Sequence, residues 1–132
     1  MAAGRATQKD TCFDTYIAGE ALPEGRCVKI SAAGSGKNPP TVVLADAADD
    51  TIGVTTTEAF ATGDRVTVAL TNKPGTIVAT AAGAFVPGAE LFGAADGKVD
   101  DSGTVRRGFA RGTSGADGDA VEIIMQPAPA AA

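Results

Sequence analysis

The chain has 132 residues, a mass of 13.0 kDa, a formal net charge of −5 and no histidine. Such a length favours one domain, the acidic balance argues against a nucleic-acid-binding face of clustered lysine and arginine, and the lack of histidine removes the usual general base and the commonest metal ligand. The sequence contains neither a membrane-length apolar run nor the apolar segment of a secretory signal, so we expect a cytoplasmic product whose Cys12 and Cys27 are reduced thiols.

The chain divides into two ends that show no strand pattern of large side chains and a central β-rich part. Residues 1–11 are small and polar and predict a flexible N-terminal arm, whereas residues 127–132 contain only Pro and Ala and predict a disordered tail. Residues 12–126 show the two-residue alternation of β-strands between Gly, Pro and Asp turns, and no convincing helix. The predicted strands are, in chain order, 27–30, 41–45, 65–70, 76–79, 90–92 and 121–125. Asp96-Gly97, between two of them, is typical of a type I′ hairpin turn.

Two parts of the central region resemble each other. Residues 52–70 align with 107–125 at an offset of 55, which matches Gly53 with Gly108. Upstream, an offset of 64 matches Ala18-Gly19 with Ala82-Gly83. We interpret this as a pseudo-repeat of about 18–70 and 82–125. The sequence therefore predicts an all-β fold, a compact β-sandwich or β-barrel built from two similar β-units within one domain, 12–126.

Motifs that could carry chemistry are incomplete. Gly34-Ser35-Gly36-Lys37 resembles the end of a phosphate-binding loop, but Pro39-Pro40 prevent the helix that such a loop requires. The acidic clusters, such as Asp46 with Asp49 and Asp50, lack the spacing of a calcium loop and are better explained as charged turns and strand edges. Serine, threonine and cysteine have no histidine base to activate them. We therefore expect that the chain has no catalytic, cofactor or metal site and that it is not an enzyme.

Arg106, Arg107 and Arg111 form a local excess of positive charge in this acidic chain. One interpretation is a docking spot for an acidic partner. The other is a solvated strand face whose arginines pair with Asp100 or Asp101. The sequence favours neither.

A series of turn-and-strand segments carries a resemblance to a known family. These segments are 21–30, 52–54, 61–68, 84–92, 107–109 and 118–123. In order and spacing they resemble the capsid cement or head decoration proteins of bacteriophages, over about residues 11–126. Because the segments are structural rather than catalytic, no active-site residue follows from the resemblance.

The resemblance implies a structural protein on the outer surface of the virion capsid. Such a protein stabilises the assembled shell by bridging phage major capsid proteins, often as a homotrimer, and it needs no cofactor, nucleic acid or membrane. Some relatives engage the shell through an N-terminal arm, which makes Thr7, Lys9 and Thr11 candidate contacts beside the three arginines.

A carrier or ligand-binding module of barrel-sandwich type is the alternative, since it also duplicates a Gly-x-x-Val strand unit. It requires a modifiable lysine at a hairpin tip, and Lys73 in the turn Thr71–Gly75 is the candidate, although it lacks the usual hydrophobic flanks. An increase in the intact mass of the protein after co-expression with a lipoyl or biotin ligase would identify a carrier, provided that Lys73→Ala removes the increase.

Overall fold

The computed structural model describes residues 12–32 and 39–126, so the predicted arm, the predicted tail and the Gly34–Lys37 loop lie outside the described residues. The described ranges contain ten β-strands and no helix long and apolar enough to cross a membrane. The strands are β1 (Phe13–Ala18), β2 (Cys27–Ile30), β3 (Thr41–Leu44), β4 (Gly53–Thr55), β5 (Arg65–Leu70), β6 (Ile77–Thr80), β7 (Glu90–Gly93), β8 (Val99–Asp100), β9 (Arg106–Ala110) and β10 (Ala120–Met125).

The first five strands form a closed barrel in the order β1-β3-β2-β4-β5, with β5 pairing back onto β1. The β1–β3 pair is parallel and the other pairs are antiparallel. The alternation of β5 explains its place in the barrel, because Val66 and Val68 point inward while Arg65 and Thr67 point outward. Inside the barrel lies a cluster of buried side chains: Tyr16, Ala18, Leu22, Val28, Val42, Ala59, Val66 and Val68.

The last five strands form a curled sheet in the order β6-β10-β9-β7-β8. The strands β6 to β10 correspond in turn to β1 to β5, and neighbouring strands of the barrel correspond to neighbouring strands of the sheet. The exception is β6 and β8, which correspond to the paired strands β1 and β3 but lie at the two open edges of the sheet. A single parallel bridge, Ala81 with Val99, spans this opening, where the barrel has a two-residue pairing of β1 with β3. The all-β fold of two similar units is therefore confirmed, as a closed barrel beside a half-barrel.

The backbone pairing of the two units follows fixed offsets. Gly53 pairs with Leu70 and Gly108 with Met125, which agrees with the offset of 55 read from the sequence. Upstream, the amides of Ala18 and Ala81 donate to Asp64 O and Asp119 O respectively, both at 2.8 Å. These equivalent residues differ by 63 positions, so the predicted offset of 64 was wrong by one. Ala and Gly residues of this region align at an offset of 63 as well as at 64. The backbone hydrogen bonds show that 63 is the offset of equivalent residues.

The two units share hydrophobic surface. The concave face of the second sheet buries Leu91, Val121 and Ile123, and this cluster also contains Cys27 and Val54 from the outside of the barrel. Both of these barrel residues have no exposed surface. The half-barrel thus completes its core against the barrel, which offsets the small number of large side chains in each unit.

The predicted hairpin turn is confirmed between β7 and β8. Asp96 and Gly97 both adopt left-handed backbone conformations, with φ of 60° and 73°. Two consecutive positive φ values define the type I′ turn that joins twisted antiparallel strands.

Candidate functional site

The candidate site is the outer face of the second sheet. An apolar stripe crosses three neighbouring strands here, formed by Val78 of β6, Ile124 of β10 and Phe109 of β9, and we call it the outer stripe. Val78 is 54% exposed and Ile124 is 43% exposed. Ile124 lies opposite Phe109, and Val78 lies opposite Glu122, two residues before Ile124 on the same face. Exposed apolar side chains grouped on the outer face of a sheet are typical of a protein-binding surface.

Two of the predicted arginines flank the outer stripe. Arg106 Nη1 lies 3.3 Å from Glu90 Oε2, and Arg106 Nε donates to Gln126 O at 3.0 Å. The guanidinium carbon of Arg106 lies 5.2 Å from the centre of the Phe109 ring. Arg111 Nη1 lies 2.9 Å from Glu122 Oε1. Both arginines pair within the chain, but with glutamates rather than with Asp100 or Asp101. The outer stripe is therefore bordered by neutralised ion pairs, not by a positive patch.

The third predicted arginine lies elsewhere. Arg107 is only 1% exposed, and its Nη2 donates to Asp46 O of the barrel at 3.2 Å. Its inward direction follows from an irregularity in the β7–β9 pairing between Leu91 and Phe92, where β9 has one extra residue. The prediction that Arg107 is a surface docking residue was therefore wrong. Thr7, Lys9 and Thr11 lie outside the described residues and stay predictions.

Lys73 is not at a hairpin tip. It lies in the linker between β5 and β6, which belong to different sheets. Its Nζ donates to Pro74 O at 3.1 Å and to Thr76 O at 3.0 Å, and it lies 5.9 Å from the centre of the Phe13 ring. The presentation of Lys73 required by the carrier alternative is thus contradicted.

Three aspartates in the turns between strands serve local structure. Asp49 pairs with Lys29 at 2.7 Å, and Asp117 pairs with Lys98 at 2.9 Å. Asp119 accepts hydrogen bonds from the Gly115 and Ala116 amides at 2.8 and 3.1 Å. Within residues 12–32 and 39–126, no three His, Cys, Asp or Glu side chains are grouped to hold a metal ion.

These ion pairs predict an acid-sensitive fold. Hydrogen bonds from Lys29 and Lys98 lower the pKa of Asp49 and Asp117, and the Thr76 hydroxyl and Arg111 lower the pKa of Glu122. A carboxyl whose pKa is lower in the folded state stabilises the fold above its unfolded value, about 4, and loses this contribution as the pH falls through the folded value. We expect the urea midpoint to be constant from pH 7 to 5 and to fall towards pH 3. In Lys98→Met the fall should be smaller, and an equal fall would show that the Lys98–Asp117 pair does not contribute.

The outer stripe was not predicted, although a signal for it was present. The alternation in β10 places Val121 and Ile123 inside, so Ile124 had to face outward. An isoleucine at an outward position of a strand is the signal that could have identified this surface.

No family model and no curated protein matches the chain. Solved structures do match. One is described as the head fiber gp8.5 N base of bacteriophage phi29; it has a TM-score of 0.68 and 17% identity, and the match covers 86% of this chain and 92% of that chain. At this identity the similarity shows a shared fold. The resemblance to phage head proteins noted in the sequence is thereby confirmed at the level of the fold.

Proposed function

We propose that this chain is a structural phage protein that binds the outer surface of the assembled capsid and stabilises it by bridging neighbouring major capsid proteins. The observation that carries this proposal is the fold shared with a phage head fiber base over most of both chains. The protein would act as a homotrimer at the virion surface, with no nucleic acid, membrane or cofactor, and would catalyse no reaction.

The physical basis of this function is mass action. A protein that binds the assembled shell but not its free subunits lowers the free energy of the shell by RT ln(1 + [L]/Kd) at every occupied site. Many copies then resist expansion or rupture of the shell without any bond being made or broken. The outer stripe offers the apolar contact area for this binding, and the flanking Arg106–Glu90 and Arg111–Glu122 pairs offer a polar rim.

Co-sedimentation with capsids tests the proposal. Purified protein is mixed with mature and with immature capsids, and the bound fraction is measured after pelleting. We expect saturable binding at a fixed ratio to the major capsid protein. If wild-type protein does not pellet with either form at any salt concentration, capsid binding is excluded.

A pair of variants tests the outer stripe. Ile124→Glu places a charge in the stripe and should weaken capsid binding by about tenfold or more, since central apolar contacts dominate interface energies. Ile30→Glu is the matched control, because Ile30 is 49% exposed at the end of β2 in the barrel and lies outside the stripe. Equal binding by Ile124→Glu and wild type would exclude the stripe as the capsid contact.

A further inference from the structure

Phe60 is an aromatic side chain presented to solvent on a fixed turn. It is 78% exposed. The amides of Phe60 and Ala61 both donate to Asp64 Oδ2, at 3.0 and 3.1 Å, and the turn is anchored by paired 2.8 Å backbone hydrogen bonds between Leu22 and Ala59. An exposed aromatic residue on a rigid backbone binds with little loss of conformational entropy, which is typical of an interface anchor.

The turn itself does not require an aromatic residue. The second unit forms the same turn, in which Gly115 takes the place of Phe60, Asp119 takes the place of Asp64, and the Phe85–Ser114 bridge takes the place of Leu22–Ala59. Because the turn forms with glycine, the Phe60 ring has no structural role in it. The ring is therefore free to contact a partner outside the folded chain.

An apolar groove lies beside the equivalent turn of the second unit. The groove has a volume of about 350 Å³, and its apolar wall is formed by Ala84, Phe85, Val86 and Ala89. Val86 is 65% exposed. A cavity of about 150 Å³ already accepts benzene, so this groove has room for one phenyl ring.

We propose that Phe60 of one copy inserts into the groove at Phe85 and Val86 of the next copy, so that copies associate head to tail. This inference deepens the proposed function and depends on its homotrimer. Both halves of the contact are present on this one chain, the ring on the barrel unit and the groove on the half-barrel unit. Such a contact joins two different surfaces, so each copy can donate one ring and accept another, and a closed ring of three leaves neither surface unused.

Sedimentation velocity of the full chain tests the contact. Wild-type protein should form trimers, and Phe60→Ala and Val86→Asp should each raise the dissociation constant by about tenfold or more. Ile30→Ala removes another half-exposed apolar side chain and should leave association unchanged. Circular dichroism and thermal melts at one concentration confirm that the variants are folded.

A mixing experiment separates this contact from a general loss of apolar surface. An equimolar mixture of Phe60→Ala and Val86→Asp should form dimers only, since one intact ring meets one intact groove and the trimer cannot close.

Several results would overturn the contact. They are a wild-type protein that stays monomeric up to about 1 mM, a Phe60→Ala variant that associates like wild type, and a mixture that forms no dimer. A Phe60→Ala variant that keeps its trimer but loses capsid binding would place the ring on a capsid protein instead and would also overturn it. If the variants behave as expected but wild type does not bind capsids, the contact stands and the proposed function fails.

Discussion

Gly53→Ala is expected to destabilise the fold by at least about 3 kcal/mol, among the largest effects of any single substitution in this chain. A Cβ at Gly53 would lie well inside the van der Waals radius of the Ala69 carbonyl oxygen, and 2.8 Å from Val68 Cγ1. Both obstacles belong to β5, and the first is backbone, which cannot rotate away. The two strands would have to separate where Gly53 pairs with Leu70, and the barrel would lose its closure.

The internal repeat supplies a second test of the same effect. A Cβ at Gly108 meets the Ile124 carbonyl oxygen of β10 in the same way. Gly108→Ala should therefore cost a similar free energy of unfolding, and urea denaturation at matched protein concentration measures both values.

Two other glycines separate this clash from backbone strain. Gly63 has a φ of +95° with no atom within 4 Å of its would-be Cβ, so Gly63→Ala should cost only about 1 kcal/mol. Gly115→Ala has neither strain nor close contact and should change stability by about 0.5 kcal/mol or less. If Gly53→Ala costs no more than Gly63→Ala, the close approach of β4 and β5 does not exist in solution.

The parts of the fold that local pattern determines could be predicted from the sequence. β5 alternates between polar and apolar residues over Arg65–Val68, and β10 does so over Val121–Ile123. Asp96-Gly97 encodes its turn through the φ values that it tolerates. The repeat was visible because Gly53 and Gly108 must both stay small where two strands approach closely. Each of these signals arises from contacts between neighbours in sequence or in one strand pair.

The remaining features depend on contacts that no local pattern reports. β1 was missed because Asp14 and Thr15 interrupt its apolar alternation, although β5 pairs with it along most of its length. Lys73 was assigned to a hairpin because a turn sequence does not reveal that the flanking strands enter different sheets. The exposure of Phe60 follows from how its turn is held, since a single aromatic residue in a turn gives no indication of its direction.

The arginines show the same limit at the candidate site. Arg106 and Arg107 are adjacent and chemically identical, yet one lies on the outer face and the other is buried between the units. The extra residue of β9 opposite Leu91 and Phe92 determines which arginine faces outward and which is buried. A bulge changes the inside–outside alternation of a strand. Gly108 is a residue typical of a bulge, but it does not show which of its neighbours is the extra residue.

The buried position of Arg107 leads to the second large expected effect. Its guanidinium lies between the barrel and the half-barrel, beside the buried Cys27 thiol. Burial raises the pKa of this thiol, and the positive charge of Arg107 opposes that increase. Gly93 makes room for it, because a Cβ there would lie 2.6 Å from Arg107 Nη2 and 2.9 Å from Ala47 O. Arg107 thus fills the space between the two units and connects them through Asp46 O.

Arg107→Ala should lower the free energy of unfolding by about 2–4 kcal/mol, because it removes a large buried side chain and leaves a cavity at the junction of the units. Arg107→Met keeps most of the volume without the charge and should lie within about 1 kcal/mol of wild type, since burying a guanidinium costs nearly as much as its hydrogen bond returns. Urea unfolding of both variants at one protein concentration measures the difference. If methionine is as destabilising as alanine, the hydrogen bond to Asp46 O, rather than packing, holds the barrel and the half-barrel together.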